Sequence, residues 1–199
     1  MPQPDRRMQE SHALLRACGA GQWRHSGRTL LDHLQGTHDL LQGWGSSQEV
    51  CMAGLFHSIY GTNSFLRRSL GVSDRLQVRA VLGANAEALA WMFCSVERPL
   101  AIIDAVRAGV PTAETAMINR LGRVNREPLS ALPWQVCALA EIECANLIEQ
   151  NSDGAALREL YCLAISFPGV LSASARAAVR SYLSRQLSRT PRSDPEIVQ

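Results

Sequence analysis

Five histidines, His12, His25, His33, His38 and His57, are the only imidazoles in the chain, so any metal-ligating or general-base chemistry of that type starts from them. His57 closes the apolar run "MAGLFHSIYGT", a place where a helix end can present a ligand, and is followed by Ser58, Tyr60 and Thr62. His33 and His38 lie five residues apart in "RTLLDHLQGTHDLL". Five helical steps rotate two side chains by about 140°, so only one of the two can face a shared site. His33 lies nearer the apolar stripe of Leu30, Leu34, Leu41 and Trp44 and is the expected site residue, with His38 at the boundary. A single histidine in such a helix is ordinarily a hydrogen-bonded core side chain, the alternative for His38, and His12 is read as structural or solvated.

The acidic candidates come from "LAEIECANLIEQ", where Glu141 and Glu143 are two apart and point to nearly opposite faces. Glu141 is the one chosen, with Asn146 as its polar companion, and Glu87 is a comparable acid in an apolar segment. Borderline metals accept imidazole together with carboxylate, so His33, His57 and Glu141 can supply three protein positions and leave the rest to water or substrate. In that arrangement Glu141 and Ser58 are the expected catalytic residues, the serine donating a hydrogen bond or anchoring a water beside the ion. Arg24 with the adjacent His25, the arginines of "NRLGRVNRE" (Arg120, Arg123 and Arg126), and Tyr60, Thr62 and Asn146 are the expected substrate contacts, since guanidinium forks suit phosphate or carboxylate.

Composition narrows the chemistry. The Lys+Arg total of 20 is entirely arginine, which removes Schiff-base chemistry, a lysine base and a P-loop lysine. A net charge of +2, with arginines scattered and no aromatic interleaving, argues against nucleic acid as partner. The six cysteines form no C-x-x-C pair and read as reduced thiols in apolar helices. The apolar runs are too short to span a bilayer and the N-terminus lacks the apolar core of a signal peptide, so the expectation is a cytoplasmic protein that does not enter a membrane. Oligomeric state is left open, a homodimer included.

The elements that must position these residues are helical. With 199 residues and 46% hydrophobic content, one core is expected. Apolar spacing places helices at about 9 to 18, 28 to 44, 47 to 59, 74 to 95, 99 to 108, 112 to 119, 133 to 150, 154 to 166 and 172 to 188, with "SSQE" as an N-cap signal before the third and no alternating strand pattern. The expected organisation is an N-terminal helix within 1 to 22, a helical core from 23 to 150, helices packed on it from 151 to 188, and a disordered polar tail from 189 to 199.

The order "RHSGRTLLDHLQGTHDLL", "MAGLFHSIYGT", "LGVSDRLQVRAVLGANAEALAWMF", "LAEIECANLIEQ" resembles the HD superfamily of helical metalloenzymes, closest in layout to the hydrolase domain of the stringent-response alarmone enzymes. "AGLFHSIYGT" also resembles a bacterial HD-like family that carries serine at the same place. The resemblance covers residues 23 to 150 and implies an all-α, HD-like domain with a C-terminal helical extension. It puts His33 at the first ligand histidine, His57 at the motif histidine, and Glu141 at the late aspartate. Ser58 stands where the motif has an aspartate able to bridge two ions, and the acid pair that activates water in alarmone hydrolases is missing. The implied site is therefore mononuclear, holding one divalent ion such as manganese, iron or zinc. The implied reaction is hydrolysis of a small anionic metabolite, phosphorylated or amide-like. Oxidation by iron, as in the HD oxygenases, and ligand binding without catalysis are the alternatives.

Overall fold

A computed structural model of the chain describes residues 6–25, 27–109, 116–121, 128–152 and 154–189. Helix α1 (Arg6–Ala17) leads into a short hairpin of β1 (Arg24–His25) and β2 (Arg28–Thr29) around Gly27, whose φ of +87° is the left-handed conformation such a tight reversal requires. Helix α2 (Leu30–Gly43) starts at a capping box: Thr29 Oγ accepts from the Asp32 amide at 3.1 Å while the Asp32 carboxylate accepts from the Thr29 amide at 3.2 Å. Hydrogen bonds from the Thr29 side chain, then from its backbone, hold the Asp32 carboxyl below the ordinary aspartate value. Helix α3 (Gln48–Phe56) is capped by Ser47, in the "SSQE" signal, and ends at His57.

Helices α2 and α3 pack closely because Gly54 has no side chain; a Cβ there would collide with Leu41. After α3 come α4 (Arg75–Leu82), α5 (Ala84–Ser95), α6 (Leu100–Arg107), strands β3 (Ala116–Leu121) and β4 (Pro128–Ala131), and helices α7 (Pro133–Glu149), α8 (Ala155–Ser166) and α9 (Ala173–Arg189). One apolar cluster joins α5, α6, α7, α8 and α9 through Phe93, Ile102, Leu139, Leu160 and Val179. A second joins α1, α2, α3, α4 and α5 through Leu15, Leu34, Phe56, Val78 and Ala90. The fold is all-α and a single domain, and among the described residues no helix is long and apolar enough to cross a membrane.

Two local expectations need correction. The single helix expected over 74 to 95 is two, because Gly83 at φ +82° leaves the helical region, and a side chain there would also meet Arg7 Nη2 at 2.7 Å. The helix expected over 112 to 119 gives way at 116–121 to strand β3, antiparallel to β4 with Ala116 opposite Ala131 and Ile118 opposite Leu129. The partner strand supplies the hydrogen bonds a helix would have made internally, a tertiary effect with no local signature. Residues 112–115 and the tail from 190 lie outside the described residues, and the side chain of Arg189 is likewise not described.

Candidate functional site

His33 and His57 face each other. Their Nε2 atoms are 3.0 Å apart and their ring centroids 4.9 Å apart at 79°, and both residues are fully buried. His33 projects from the middle of α2, and its carbonyl accepts from Thr37 Oγ one turn on. His57 sits on the last residue of its helix run, where its Nδ1 reaches back to the Gly54 carbonyl at 2.7 Å and its ring stands edge-on to Phe93, centroids 5.2 Å apart. The third neighbour is Asn146 on α7, whose Oδ1 lies 3.1 Å from His57 Nε2 and also accepts from Gln150 Nε2 at 2.9 Å. Its amide Nδ2 is buried and has no hydrogen-bond partner among the described residues.

The outer nitrogens decide what the inner ones can be. A carboxylate and a backbone carbonyl can only accept, so a ring nitrogen that bonds one of them must carry its proton. His33 Nδ1 donates to Glu149, and His57 Nδ1 donates to the Gly54 carbonyl. In the neutral state, both Nε2 atoms therefore carry lone pairs, directed at one another with an amide oxygen beside them. With both Nδ1 atoms donating outward, the Nε2–Nε2 contact is a hydrogen bond only when one ring carries a second proton, and a cation between the rings can take that proton's place.

Glu149 is itself held. Arg28 on β2 ion-pairs with its carboxylate and donates to its backbone carbonyl at 2.8 Å, while Gly36 on α2 leaves the room the carboxylate occupies. A Cβ at position 36 would stand 2.6 Å from Glu149 Oε1. Further along the same stripe of α7, Glu143 is fully buried and receives Arg98 Nη1 at 3.0 and 3.1 Å, with the Arg98 guanidinium 4.8 Å from the Phe93 ring centre. Thr62 lies beside this pair, 3.4 Å from Arg98 Nη2.

The other expected site residues are dispersed. Glu141 does not join the histidines: one carboxylate oxygen accepts from Ser46 Oγ at 2.8 Å and the other from the Ser172 amide at 2.7 Å, on the side of α7 that faces α9. Two residues of separation put Glu141 and Glu143 on different faces, and Glu143 has the face toward α5. Ser58 is buried next to His57 in the chain, and its carbonyl caps a turn at Gly61. Tyr60 belongs to a different cluster, donating to Glu87 at 3.3 Å, while Glu87 is gripped by Arg75 at 2.6 Å and Arg79 at 3.1 Å. Burial, then the Glu87 charge, pushes the Tyr60 hydroxyl well above its ordinary value, so it stays protonated. Arg24 is exposed on β1. The side chains of His25 and Arg120 are not described, and Arg123 and Arg126 lie outside the described residues. Glu149, Arg28 and Arg98 are partners beyond the expected set, and Glu143, the alternative acid, recurs with Asn146 and Glu149 every three residues, so the three share a stripe.

Four of the thiols are held protonated by their surroundings. Burial, then the Glu141 charge, pushes Cys51 up to about 11 and raises Cys137, and burial raises Cys144 and Cys18. A thiol in that condition is not the reactive thiolate.

A family model described as a domain of unknown function (DUF6817) matches residues 14–98, less than half of the chain. The matched stretch holds both facing histidines and Arg98 and stops short of Asn146 and Glu149 on α7. No curated protein and no solved structure matches the chain.

Proposed function

We propose that the chain is an HD-like metal-dependent hydrolase of a small anionic metabolite, with one divalent ion held by His33 and His57. The observation that carries this reading is the pair of Nε2 lone pairs, 3.0 Å apart, each fixed by an outer acceptor. Two imidazoles bound at about 2.0–2.1 Å to one ion have nitrogens about 2.8–3.0 Å apart at a right angle and about 3.3–3.4 Å apart at the tetrahedral angle, so the observed spacing is that of a right-angle pair and a tetrahedral ion needs a few tenths of an ångström of opening. Asn146 Oδ1 is the third donor within reach. Among the described residues no three His, Cys, Asp or Glu side chains group around a metal position, which makes this a neutral donor set.

That neutrality selects the substrate. Glu149 is already balanced by Arg28 and Glu143 by Arg98, so the charge of a divalent ion stays uncompensated until an anion arrives. A phosphorylated or carboxylated metabolite supplies that charge. When bound, the ion would contribute Lewis acidity and lower the pKa of a bound water. Glu149 keeps the His33 ring turned with Nε2 inward, Gly54 does the same for His57, and Asn146 turns its amide oxygen to the same space.

The complete burial of His33, His57 and Asn146 favours a second reading, a module that holds its ion or ligand without turnover. Both are tested on untagged protein: metal content by elemental analysis, then titration with manganese, zinc and ferrous ions, followed by phosphorylated and amide substrates. One equivalent of metal, lost in His33→Ala and His57→Ala, supports the site, and turnover that requires it supports the hydrolase. Stoichiometric metal without turnover supports the module. No binding of any of the three ions removes the hydrolase and leaves a module that binds its ligand without metal.

A further inference from the structure

A second cluster of ligand-type side chains lies on the opposite face of α2 from His33. A cavity of about 360 Å³ is lined by Met8 of α1, His38 and Gln42 of α2, Ser46, and Gln48, Cys51 and Met52 of α3. His38 is 4% exposed, and its Nδ1 is engaged by Asp39 Oδ1 at 3.1 Å. Nδ1 meets the Asp39 carboxylate and, at 3.4 Å, the Gln35 Nε2 amide; in the tautomer that donates to the shorter, charged contact, Nε2 keeps its lone pair. Asp39 is thus the outer partner that fixes a ligating tautomer, the arrangement found behind metal-bound histidines.

We propose that this cavity binds one monovalent soft metal ion, copper in its reduced state, through His38 Nε2 and the sulfur atoms of Met8, Met52 and Cys51. The donor set decides the class. Two thioethers are neutral and polarisable, poor ligands for magnesium, calcium or manganese and good ones for a soft cation. Met52 and Cys51 are 2% and 5% exposed, and a low-charge ion tolerates such burial better than a divalent one. Coordination by Cys51 releases its thiol proton to solvent and forms the sulfur–metal bond, with no electron transferred; the ion enters and stays in the reduced state. The site is separate from the His33–His57 pair, because His38 is rotated away from His33 on the same helix and the cavity is lined from α1 where the pair is joined by α7.

The test is an anaerobic competition titration of the full, untagged chain with reduced copper against a coloured chelator. One equivalent should be retained. Met8→Leu, at a half-buried position where the swap nearly conserves volume, and His38→Ala should each weaken retention at least about tenfold, and Asp39→Asn roughly tenfold through the tautomer. His33→Ala with His57→Ala should leave it unchanged. X-ray absorption should find sulfur neighbours on the copper. Failure to retain copper against the chelator overturns the proposal. So do retention indifferent to Met8→Leu, displacement by an equal concentration of zinc, and loss of copper in the His33/His57 variant.

Discussion

Gly36→Ala isolates the contact that turns His33 inward. Position 36 is in the interior of α2, where replacing glycine by alanine ordinarily stabilises a helix by about 1 kcal/mol. Here the new methyl would stand 2.6 Å from Glu149 Oε1, 3.0 Å from its Cγ and 3.2 Å from its Cδ. A free glutamate would swing aside at little cost. This one is tied at one oxygen to His33 Nδ1 and at the other to Arg28, so yielding means giving up a charge-assisted hydrogen bond worth about 1.5–3 kcal/mol. The net expectation is that Gly36→Ala destabilises the protein by about 1 kcal/mol, and that in a Glu149→Ala background the same change stabilises it by about 0.5–1 kcal/mol. Urea denaturation of the four proteins reads the coupling directly. Equal stabilisation by Gly36→Ala in both backgrounds would refute the contact and, with it, the account of why His33 presents Nε2.

Arg98→Met should cost about 3–5 kcal/mol by leaving Glu143 charged and buried, and adding Glu143→Leu should recover most of it, both read from chemical denaturation. Because Thr29 holds Asp32 below its ordinary pKa, the capping box contributes above about pH 4 and fades as pH falls through the lower folded value. The melting difference between wild type and Asp32→Asn should therefore shrink in that acid window, and a difference constant from neutral pH to pH 2 contradicts the assignment. Ser58→Asp should admit a second equivalent of divalent metal or tighten the first; unchanged stoichiometry and affinity, or loss of folding, tells against a site of the proposed layout. Asn146→Asp places a charge where the neutral amide stands, so it should lower stability without metal and enlarge the rise in melting temperature on adding manganese or zinc; a change of the same sign in both states argues against an ion there.

Periodicity was enough to expect the helices and the capped entry to α3, because apolar stripes and the "SSQE" cap are local signals. It was also enough to separate His33 from His38, since a five-residue interval on a helix fixes their divergence whatever else packs against them. The acid was misplaced. An apolar setting does not single out Glu141, because α7 is apolar on more than one face and Glu141 and Glu143 are both buried on it. The three-residue recurrence of Glu143, Asn146 and Glu149 was present in the sequence, and Gly36 was a second signal, a small residue one turn from a buried histidine. Arg28 and Arg98 were not legible, because their partners are 121 and 45 residues away and no local pattern announces a pairing at that distance. The β3–β4 hairpin escaped for the same reason.

Buried charge along α7 follows a sequence of signs that bears on how the centre works. At one end Arg98 faces Glu143, at the other Arg28 faces Glu149, and between them stand His33, His57 and Asn146, all neutral when the rings are neutral. Each carboxylate lies on α7, on the same stripe as Asn146, and each arginine approaches from a different element, α2's own entry strand for Arg28 and the segment between α5 and α6 for Arg98. A positive charge added at the centre is therefore flanked by two carboxylates on one helix, each paired with its own guanidinium. The two ends differ in one respect that matters for exchange with solvent: Arg98 is 4% exposed at its side chain, whereas Arg28 is 41% exposed. Ion pairs reached by water are screened and weaker than enclosed ones. The Arg28 end is thus the softer of the two ion pairs.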